Sequence, residues 1–250
     1  MTIDEISRET GRSANPSLAR GPHGSAGIPR MAEPKLVKDR AYEVLKAAIL
    51  NLALPPGTSL KEAELCERLG VSKTPISQAL HQLEREGFVE MTPFRGATVT
   101  KVGPRDIEEL FEVRIALEGY VMEEVCRRQD GAAQVWMEEQ YAGAAEAMSR
   151  GDITAASDAN FAFHEGLILR WRNARLAATY AQMIDHYRRI RVVAGEIEGR
   201  VGKSVGEHRR ILEAVRGFDG PGAREATVAH LRSLLADLLA SEKTNALRGT

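Results

Sequence analysis

One stretch, residues 60–100, constrains the fold more than any other part of this chain. A first helix that ends at Gly70 is predicted by three leucines at helical spacing, Leu60, Leu65 and Leu69. Thr74-Pro75 then predicts the start of a second helix, because a capping hydroxyl precedes a proline at the first helical position. Its apolar residues recur at helical spacing up to the glycine at 87, and they are Ile76, Ala79, Leu80 and Leu83.

A short hairpin is predicted directly after these two helices. Phe88-Val89 and residues 97–100 alternate between polar and apolar on either side of Pro93-Phe94-Arg95-Gly96, a turn-forming segment. Two helices joined by a tight turn and followed by a hairpin form a winged helix-turn-helix, whose second helix fits the major groove of DNA. The pattern therefore predicts that this part of the chain binds DNA.

The rest of the chain divides around this motif. Residues 1–34 lack hydrophobic periodicity and are expected to form a disordered arm, whereas residues 35–102 form the winged helix-turn-helix domain, which opens with an amphipathic helix at 35–54. Residues 103–245 are expected to form an all-α antiparallel helical bundle. Helix breaks place its helices at 105–129, 132–149, 153–170, 173–195, 201–217 and 221–245. The predicted fold class is mainly α.

Composition excludes some classes of protein and leaves others open. With 43% hydrophobic and 28% charged residues the chain is typical of a globular protein, and no apolar run approaches the length of a membrane span. The net charge of −1 does not by itself suggest DNA binding, although a DNA-binding protein needs only a local basic stripe. Cys66 and Cys126 match no metal or redox spacing, so we expect reduced thiols in a cytoplasmic protein.

Three histidines in the second half lie on apolar faces of three predicted helices. They are His164, His208 and His230, and Asn160 shares a helix face with the first of them because it precedes it by four residues. An isolated histidine on an apolar face is usually a core residue. Three on separate helices, with an amide beside one, favour a metal site. Core packing without a metal stays open as the alternative.

These motifs resemble those of a known family. The first half resembles the N-terminal domain of the GntR family of bacterial transcription regulators in Leu54-Pro55-Pro56-Gly57, Glu64-Leu65, Gly70-Val71-Ser72-Lys73-Thr74-Pro75-Ile76, Glu86-Gly87-Phe88 and Arg95-Gly96. The second half is similar to the FCD effector-binding domain of that family's largest subgroup in Leu110-Phe111-Glu112-Val113-Arg114, Leu117-Glu118, Asn160, Phe163-His164, Glu207-His208-Arg209 and His230-Leu231.

The resemblance implies which residues meet double-stranded DNA. The expected contacts come from the second helix and the wing, at Lys73, Thr74, Ser77, Gln78, Arg95 and Gly96. Lys73 can reach guanine O6 or N7, and Gln78 can pair with adenine. The family usually has arginine at the position of Ser77, so a different or more weakly bound operator is expected. An exposed helix surface without base contacts is the alternative for Ser77 and Gln78.

The resemblance also implies a divalent metal ion, which in this family is zinc, nickel or manganese. The expected ligands are Asn160, His164, His208 and His230. The family commonly has aspartate at the position of Asn160, and a neutral amide is expected to hold the metal less tightly. Open coordination positions would accept a small carboxylate, which Arg114 is expected to bind as well. A structural salt bridge with Glu118 or Glu112 is the alternative for Arg114.

Further arginines are candidates for the lining of an effector cavity, with a solvated helix face as the alternative for most of them. They are Arg170, Arg172, Arg188, Arg189 and Arg191.

The expected function is therefore that of a ligand-responsive transcription regulator and not that of an enzyme. A homodimeric repressor would bind a pseudo-palindromic operator, and a small carboxylate at the metal would release or re-orient it. One alternative is a DNA-binding regulator without a metal. Another is a metal-dependent hydrolase with a DNA tether, which is disfavoured because no carboxylate stands at motif spacing to act as a general base.

Overall fold

The structure is a computed structural model that describes residues 37–92 and 96–249. The arm expected at residues 1–34 and the wing candidate Arg95 lie outside the described residues. Within the described ranges, no helix is long and apolar enough to cross a membrane.

The N-terminal part is a winged helix-turn-helix, as predicted. Its elements are α1 Val37–Leu50, β1 Ser59–Leu60, α2 Glu62–Leu69, α3 Lys73–Arg85, β2 Val89–Thr92 and β3 Gly96–Val99. The antiparallel sheet has the order β1-β3-β2, so Ala97 of the central strand pairs with Leu60 on one side and Met91 on the other. Side chains from α1, α3 and this sheet share one core, in which Ile49 and Leu80 are fully buried.

Three details of this part differ from the sequence-based expectations. Leu60 lies in β1 and not in the first helix, because its backbone pairs with β3 and α2 begins only after Lys61. The N-cap of α3 is Ser72 and not Thr74. Proline at 75 still falls within the first turn, where its missing N–H costs no helical hydrogen bond. Helix α1 ends at Leu50 and not at 54, because the chain turns through a left-handed conformation at Leu52, where φ is 61°.

The C-terminal part is an antiparallel helical bundle. Its elements are α4 Pro104–Arg128, α5 Gly131–Ser149, α6 Ile153–Leu169, α7 Ala174–Gly195, α8 Arg200–Arg216, α9 Gly220–Ala240 and a 3-10 helix Glu242–Arg248. Helix α4 runs antiparallel to α9, with Gly119 beside Val228 and Gly220 beside Cys126. The shared core includes the fully buried side chains of Phe111, Met122, Met137, Phe163, Tyr180, Ile211 and Leu231.

The end of the bundle differs from the expectation of one helix at 221–245. Helix α9 stops at Ala240 because Ser241 is extended and starts the 3-10 helix, its hydroxyl accepting the Lys243 N–H. Leu247 of the 3-10 helix is fully buried, and its carbonyl accepts the N–H of Val102 at 2.8 Å. The 3-10 helix therefore ties the segment before α4 to the bundle.

Helix α7 contacts the winged helix. His186 stacks on Phe88 with ring centroids 4.3 Å apart, and its Nε2 donates to the carbonyl of Glu86 at 2.9 Å. Asp185 binds Lys46 of α1 at 2.7 Å. Arg189 is buried, and its guanidinium donates to the carbonyl of residue 100 at 3.2 Å. We call this set the α7 joint, made by Asp185, His186 and Arg189.

Candidate metal centre and nucleic-acid interface

The three predicted histidines meet in the middle of the bundle. His164 lies on α6, His208 on α8 and His230 on α9, and all three are buried. Their ligand nitrogens lie within 4.8 Å of one another. Nε2 of His208 is 3.0 Å from Nε2 of His164 and 3.3 Å from Nε2 of His230. Two imidazole ligands of one ion, each about 2.1 Å from it, would be separated by roughly 3.0–3.4 Å.

Two carboxylates behind the histidines set which ring nitrogen faces the centre. His230 Nδ1 is 2.7 Å from Glu207, and His164 Nδ1 is 3.0 Å from Glu118, although that contact is out of line for a hydrogen bond. An ionised carboxylate only accepts, so His230 carries a proton on Nδ1 and turns its Nε2 inwards. His164 has the same orientation, with Nδ1 towards Glu118 and Nε2 towards His208. His208 Nε2 has at most one proton to share between two lone pairs. A cation at the centre would accept the lone pairs that face it.

The titration behaviour of these groups favours the same protonation states. Burial lowers the pKa of His208 well below its ordinary value, and it lowers the pKa of His230 to about 4 despite the bond to Glu207. Burial would raise the pKa of Glu207, but hydrogen bonds from His230, Ser233 and Arg200 outweigh it and hold the pKa at about 2. Neutral imidazoles beside ionised carboxylates are the form in which histidine binds metals.

Asn160 lies one turn before His164 on α6 and is buried. Its amide nitrogen donates to the carbonyl of Val201 at 3.2 Å, whereas its Oδ1 has no hydrogen-bond partner. A buried amide oxygen left without a partner is costly. Beside the three imidazoles it is an additional oxygen donor, and this neutral set suits a borderline divalent cation such as zinc, nickel or manganese.

Arg114 is buried on α4 and forms the ion pair with Glu118 that the sequence offered as an alternative role. Its Nε donates to Glu118 at 2.7 Å, and its guanidinium lies over the ring of Tyr187 at 3.8 Å. Tyr180 also donates to Glu118, at 3.1 Å. Burial would raise the pKa of Glu118, but Arg114 and His164 outweigh it and lower the pKa to about 2. The Nη1 atom of Arg114 has no partner, so the guanidinium can still bind an anion.

A cavity of about 50 Å³ joins the histidines to Arg114. Its other polar lining comes from Ser157, Arg191, Arg200 and Ser204. Seven buried side-chain polar atoms of the described residues have no hydrogen-bond partner, and five belong to residues that line this cavity, at Arg114, Asn160, His164, Arg191 and His208. Because buried polar groups are nearly always paired, the unpartnered atoms of Arg114, Asn160 and Arg191 make this cavity the candidate ligand site.

The predicted cavity arginines separate into two groups. Arg191 lines the cavity and is paired at 2.6 Å with the largely exposed Asp158. Arg189 belongs to the α7 joint, and Arg188 pairs with Glu165 and Asp185 outside the lining. Arg170 and Arg172 are exposed.

The contacts that link Arg200, Glu207 and Glu118 to the three histidines were not predicted from the sequence. Arg200 begins α8 and pairs with Glu207, which in turn binds His230 of α9. The only available signal was the position of Glu207 directly before His208, which does not reveal a contact to another helix. These partners are set by how the helices pack, and no spacing along one helix predicts them.

The candidate DNA-contacting residues lie at the start of α3. Lys73, Thr74 and Gln78 are exposed, and Ser77 is partly buried. Lys73 is 78% exposed, and its ammonium contacts Glu62 of α2 at 3.1 Å. Gly96 begins β3 with a φ of 84°, a conformation that favours glycine. A helix start that presents exposed side chains and backbone N–H groups suits a phosphate or a base edge.

Comparison with known proteins gives a consistent picture for both halves. Residues 37–99 match the family described as bacterial regulatory proteins, gntR family, and residues 109–233 match the FCD domain. The HTH-type transcriptional regulator YdhC of Bacillus subtilis (strain 168) is 30% identical over 192 residues, which cover 76% of this chain and 85% of the relative.

A second relative and a solved structure extend the comparison. The HTH-type transcriptional repressor RspR of Escherichia coli (strain K12) is 23% identical over 199 residues, which cover 79% of this chain and 87% of the relative. The crystal structure of a GntR transcriptional regulator from Rhodococcus sp. RHA1 has a TM-score of 0.65 at 20% identity, and the match covers 82% of this chain and 98% of that chain. At this identity the structural match shows a shared fold.

Proposed function

The chain belongs to the GntR family of bacterial regulatory proteins and carries an FCD domain, and from this membership we propose that it is a metal-dependent repressor released by a small carboxylate. DNA-binding transcription regulation is the activity of this family, and some relatives are repressors. Because the family consists of regulators, we propose no catalytic activity for the chain.

The observation that carries the proposal is the inward-facing set of histidine lone pairs. Glu118 and Glu207 lie behind His164 and His230, and both rings direct Nε2 towards Nε2 of His208, at 3.0 and 3.3 Å. Asn160 contributes an unpartnered oxygen beside them. These residues would hold a divalent metal, which when bound supplies a positive centre for a carboxylate.

Arg114 is the protein's own anchor for the effector. Its guanidinium is oriented by Glu118 and Tyr187 and keeps one nitrogen free at the cavity. A carboxylate bound there would receive a charge-assisted hydrogen bond in a site with little competing water. Glu118 contacts both Arg114 and His164, so the anchor and the metal ligand are positioned by one carboxylate.

Helix α7 provides a route from the cavity to the DNA-binding part. Tyr187, Arg191 and Ala194 line the cavity, and the α7 joint lies on the other face of the same helix. A shift of α7 on effector binding would therefore move the winged helix. In a cytoplasmic homodimer, such a shift would change the spacing of two winged helices relative to a pseudo-palindromic operator and release it.

The test begins with DNA selected by the purified protein from a random library. Metal content is measured by elemental analysis, and thermal melting is recorded with a panel of small carboxylates before and after chelation. We expect bound divalent metal, a melting temperature that falls on chelation, and an acid that raises it only in the metal-loaded protein. The same acid should lower the affinity for the selected DNA.

Other outcomes identify the alternatives. Suppose that protein purified without chelators contains no metal and that added metal leaves the melting temperature unchanged. That result would show that the histidines are core residues. Conversion of the bound acid to a product would identify a hydrolase. Failure to select any DNA would contradict the DNA-binding assignment of residues 73–78.

A further inference from the structure

The charges around the cavity balance without any contribution from a ligand. Three arginines line it, Arg114, Arg191 and Arg200, and no Asp or Glu of the described residues does. Each arginine pairs with carboxylates outside the lining, and one of these carboxylates is shared with Lys203. The four cations are thus matched by four carboxylates, at Glu118, Asp158, Glu207 and Asp237.

The candidate metal ligands add no negative charge. Three are imidazoles and the fourth is the amide of Asn160, and neither kind of ligand carries a negative charge. A divalent ion held here would therefore bring two positive charges that no nearby side chain compensates. Uncompensated charge in a buried site is strongly unfavourable, so the ligand has to supply the counter-charge.

Two guanidinium groups could bind the negative charge of the ligand. Arg114 of α4 and Arg191 of α7 each keep a buried nitrogen without a hydrogen-bond partner, Nη1 in the first and Nε in the second. Arg114 is fully enclosed, whereas the partner of Arg191, Asp158, is 62% exposed. An ion pair with such an exposed carboxylate is weak and is readily exchanged for a ligand.

The space available limits the length of the ligand. The cavity volume of about 50 Å³ corresponds to roughly four water-sized spheres at about 10–15 Å³ each. That space favours a short carbon skeleton.

We propose that the effector is a short dicarboxylate, with one carboxylate on the metal and Arg114 and the second on Arg191. This inference rests on the metal site of the proposed function and adds the charge class of its ligand. A monocarboxylate would neutralise only half of the charge brought by the metal and would leave Arg191 without an anionic partner.

The test compares lactate with tartronate, in which a carboxylate replaces the methyl group of lactate. Binding to the metal-loaded full-length protein is measured by calorimetry, and retained metal is measured after gel filtration with each acid. We expect tartronate to bind about tenfold more tightly or better, the equivalent of one added charged hydrogen bond. Malonate against propionate provides a second matched pair.

Two variants assign the effect to its residues. Arg191→Gln should weaken the binding of tartronate to about the level of lactate, and should weaken the binding of lactate by a much smaller factor. Asn160→Asp adds a negative charge to the ligand set and should narrow the preference for the dianion several-fold. Arg188→Gln is the matched control, because Arg188 lies on the same helix and pairs with Glu165 and Asp185 outside the cavity. It should bind both acids as the unmodified protein does.

The dicarboxylate inference is overturned if no dicarboxylate in these pairs binds more tightly than its monocarboxylate counterpart, including the case in which none binds. Removal of the metal by tartronate would overturn it too. Failure of the proposed function gives a different result. In that case the purified protein retains no metal, and this is seen before any acid is added.

Discussion

At the scale of single residues, Lys73 forms an ion pair within the protein. Its ammonium contacts Glu62 at 3.1 Å although the side chain is 78% exposed. An exposed ion pair of this kind contributes little to stability. Replacing it by a contact between Lys73 and DNA therefore costs little free energy. Glu62 nevertheless competes with DNA for the same charge.

Lys73→Ala is expected to weaken binding to the selected operator by about 1–3 kcal/mol. Fluorescence anisotropy at fixed moderate salt measures it. Lys61→Ala is the control, because Lys61 is also exposed and paired with a nearby glutamate, Glu64, but lies before α2. Glu62→Gln should strengthen binding, because it frees Lys73. An unchanged affinity in Lys73→Ala would exclude Lys73 from the interface.

His186 is expected to make stability depend on pH. Burial, and after it the charge of Arg189, lowers the pKa of His186 below its ordinary value, while the bond to the Glu86 carbonyl opposes the shift. Above about pH 6.5 neither the folded nor the unfolded state binds this proton. As the pH falls below that value, the unfolded state binds it first, so the free energy of unfolding decreases.

The His186 contribution is measured by urea unfolding at about pH 7.5 and about pH 5.5, either side of the ordinary histidine pKa. His186→Gln keeps a donor for Glu86 and should lose less stability between the two conditions than the unmodified protein. His81→Gln, at an exposed histidine, should behave like the unmodified protein. Equal losses in both variants would show that His186 is not responsible.

Single residues also show where sequence reasoning stops. The four-residue spacing of Asn160 and His164 predicts a shared helix face, and the structure places both at the cavity. Nothing in the sequence indicates that Glu207 would turn from its neighbour His208 towards His230 on another helix. A residue's partner across helices depends on helix rotation, which periodicity defines only approximately.

At the scale of elements, the long helices are the most predictable part of the molecule. The predicted bounds of α4 to α8 agree with the structure within one residue at each end. The reason is local, because the side chains of Asp130, Asp152 and Asn173 cap helices where the sequence breaks. Strand β1 was not predicted, because two residues carry no periodicity and its pairing partner lies far along the chain.

Helix α7 was predicted from the sequence, but its contacts with the winged helix were not. Arg189 is buried, and burial lowers its pKa to about 10 although the charge of Asp106 opposes the shift. Arg189→Met keeps most of the volume and removes the hydrogen bonds to residue 100. We expect an acid to raise the melting temperature of this variant as before but to release DNA less completely.

The control for Arg189→Met is Arg175→Met, at an exposed position on the same helix. Operator release by the acid is followed by anisotropy in both variants. Full release in Arg189→Met would show that the α7 joint does not transmit the signal. A lost response of the melting temperature would instead indicate damage to the cavity.

At the scale of the whole molecule, the 3-10 helix contacts the segment between the winged helix and the bundle. Leu247 is fully buried, and its carbonyl holds the Val102 N–H. Leu247→Ala is expected to lower the free energy of unfolding by about 2–5 kcal/mol, as for other buried leucines. Urea unfolding measures it, and Leu169→Ala, at a leucine that is 40% exposed, should cost clearly less.

The two faces of α7 have a consequence for how such a regulator diversifies. At 100° per residue, the cavity stripe of Tyr187, Arg191 and Ala194 lies almost opposite the α7 joint. Substitutions in the stripe can change which acid is recognised without altering the contacts that hold the winged helix. A duplicated gene could thus acquire a new inducer while keeping its output, and a designed biosensor could be retuned at Arg191 by the same route.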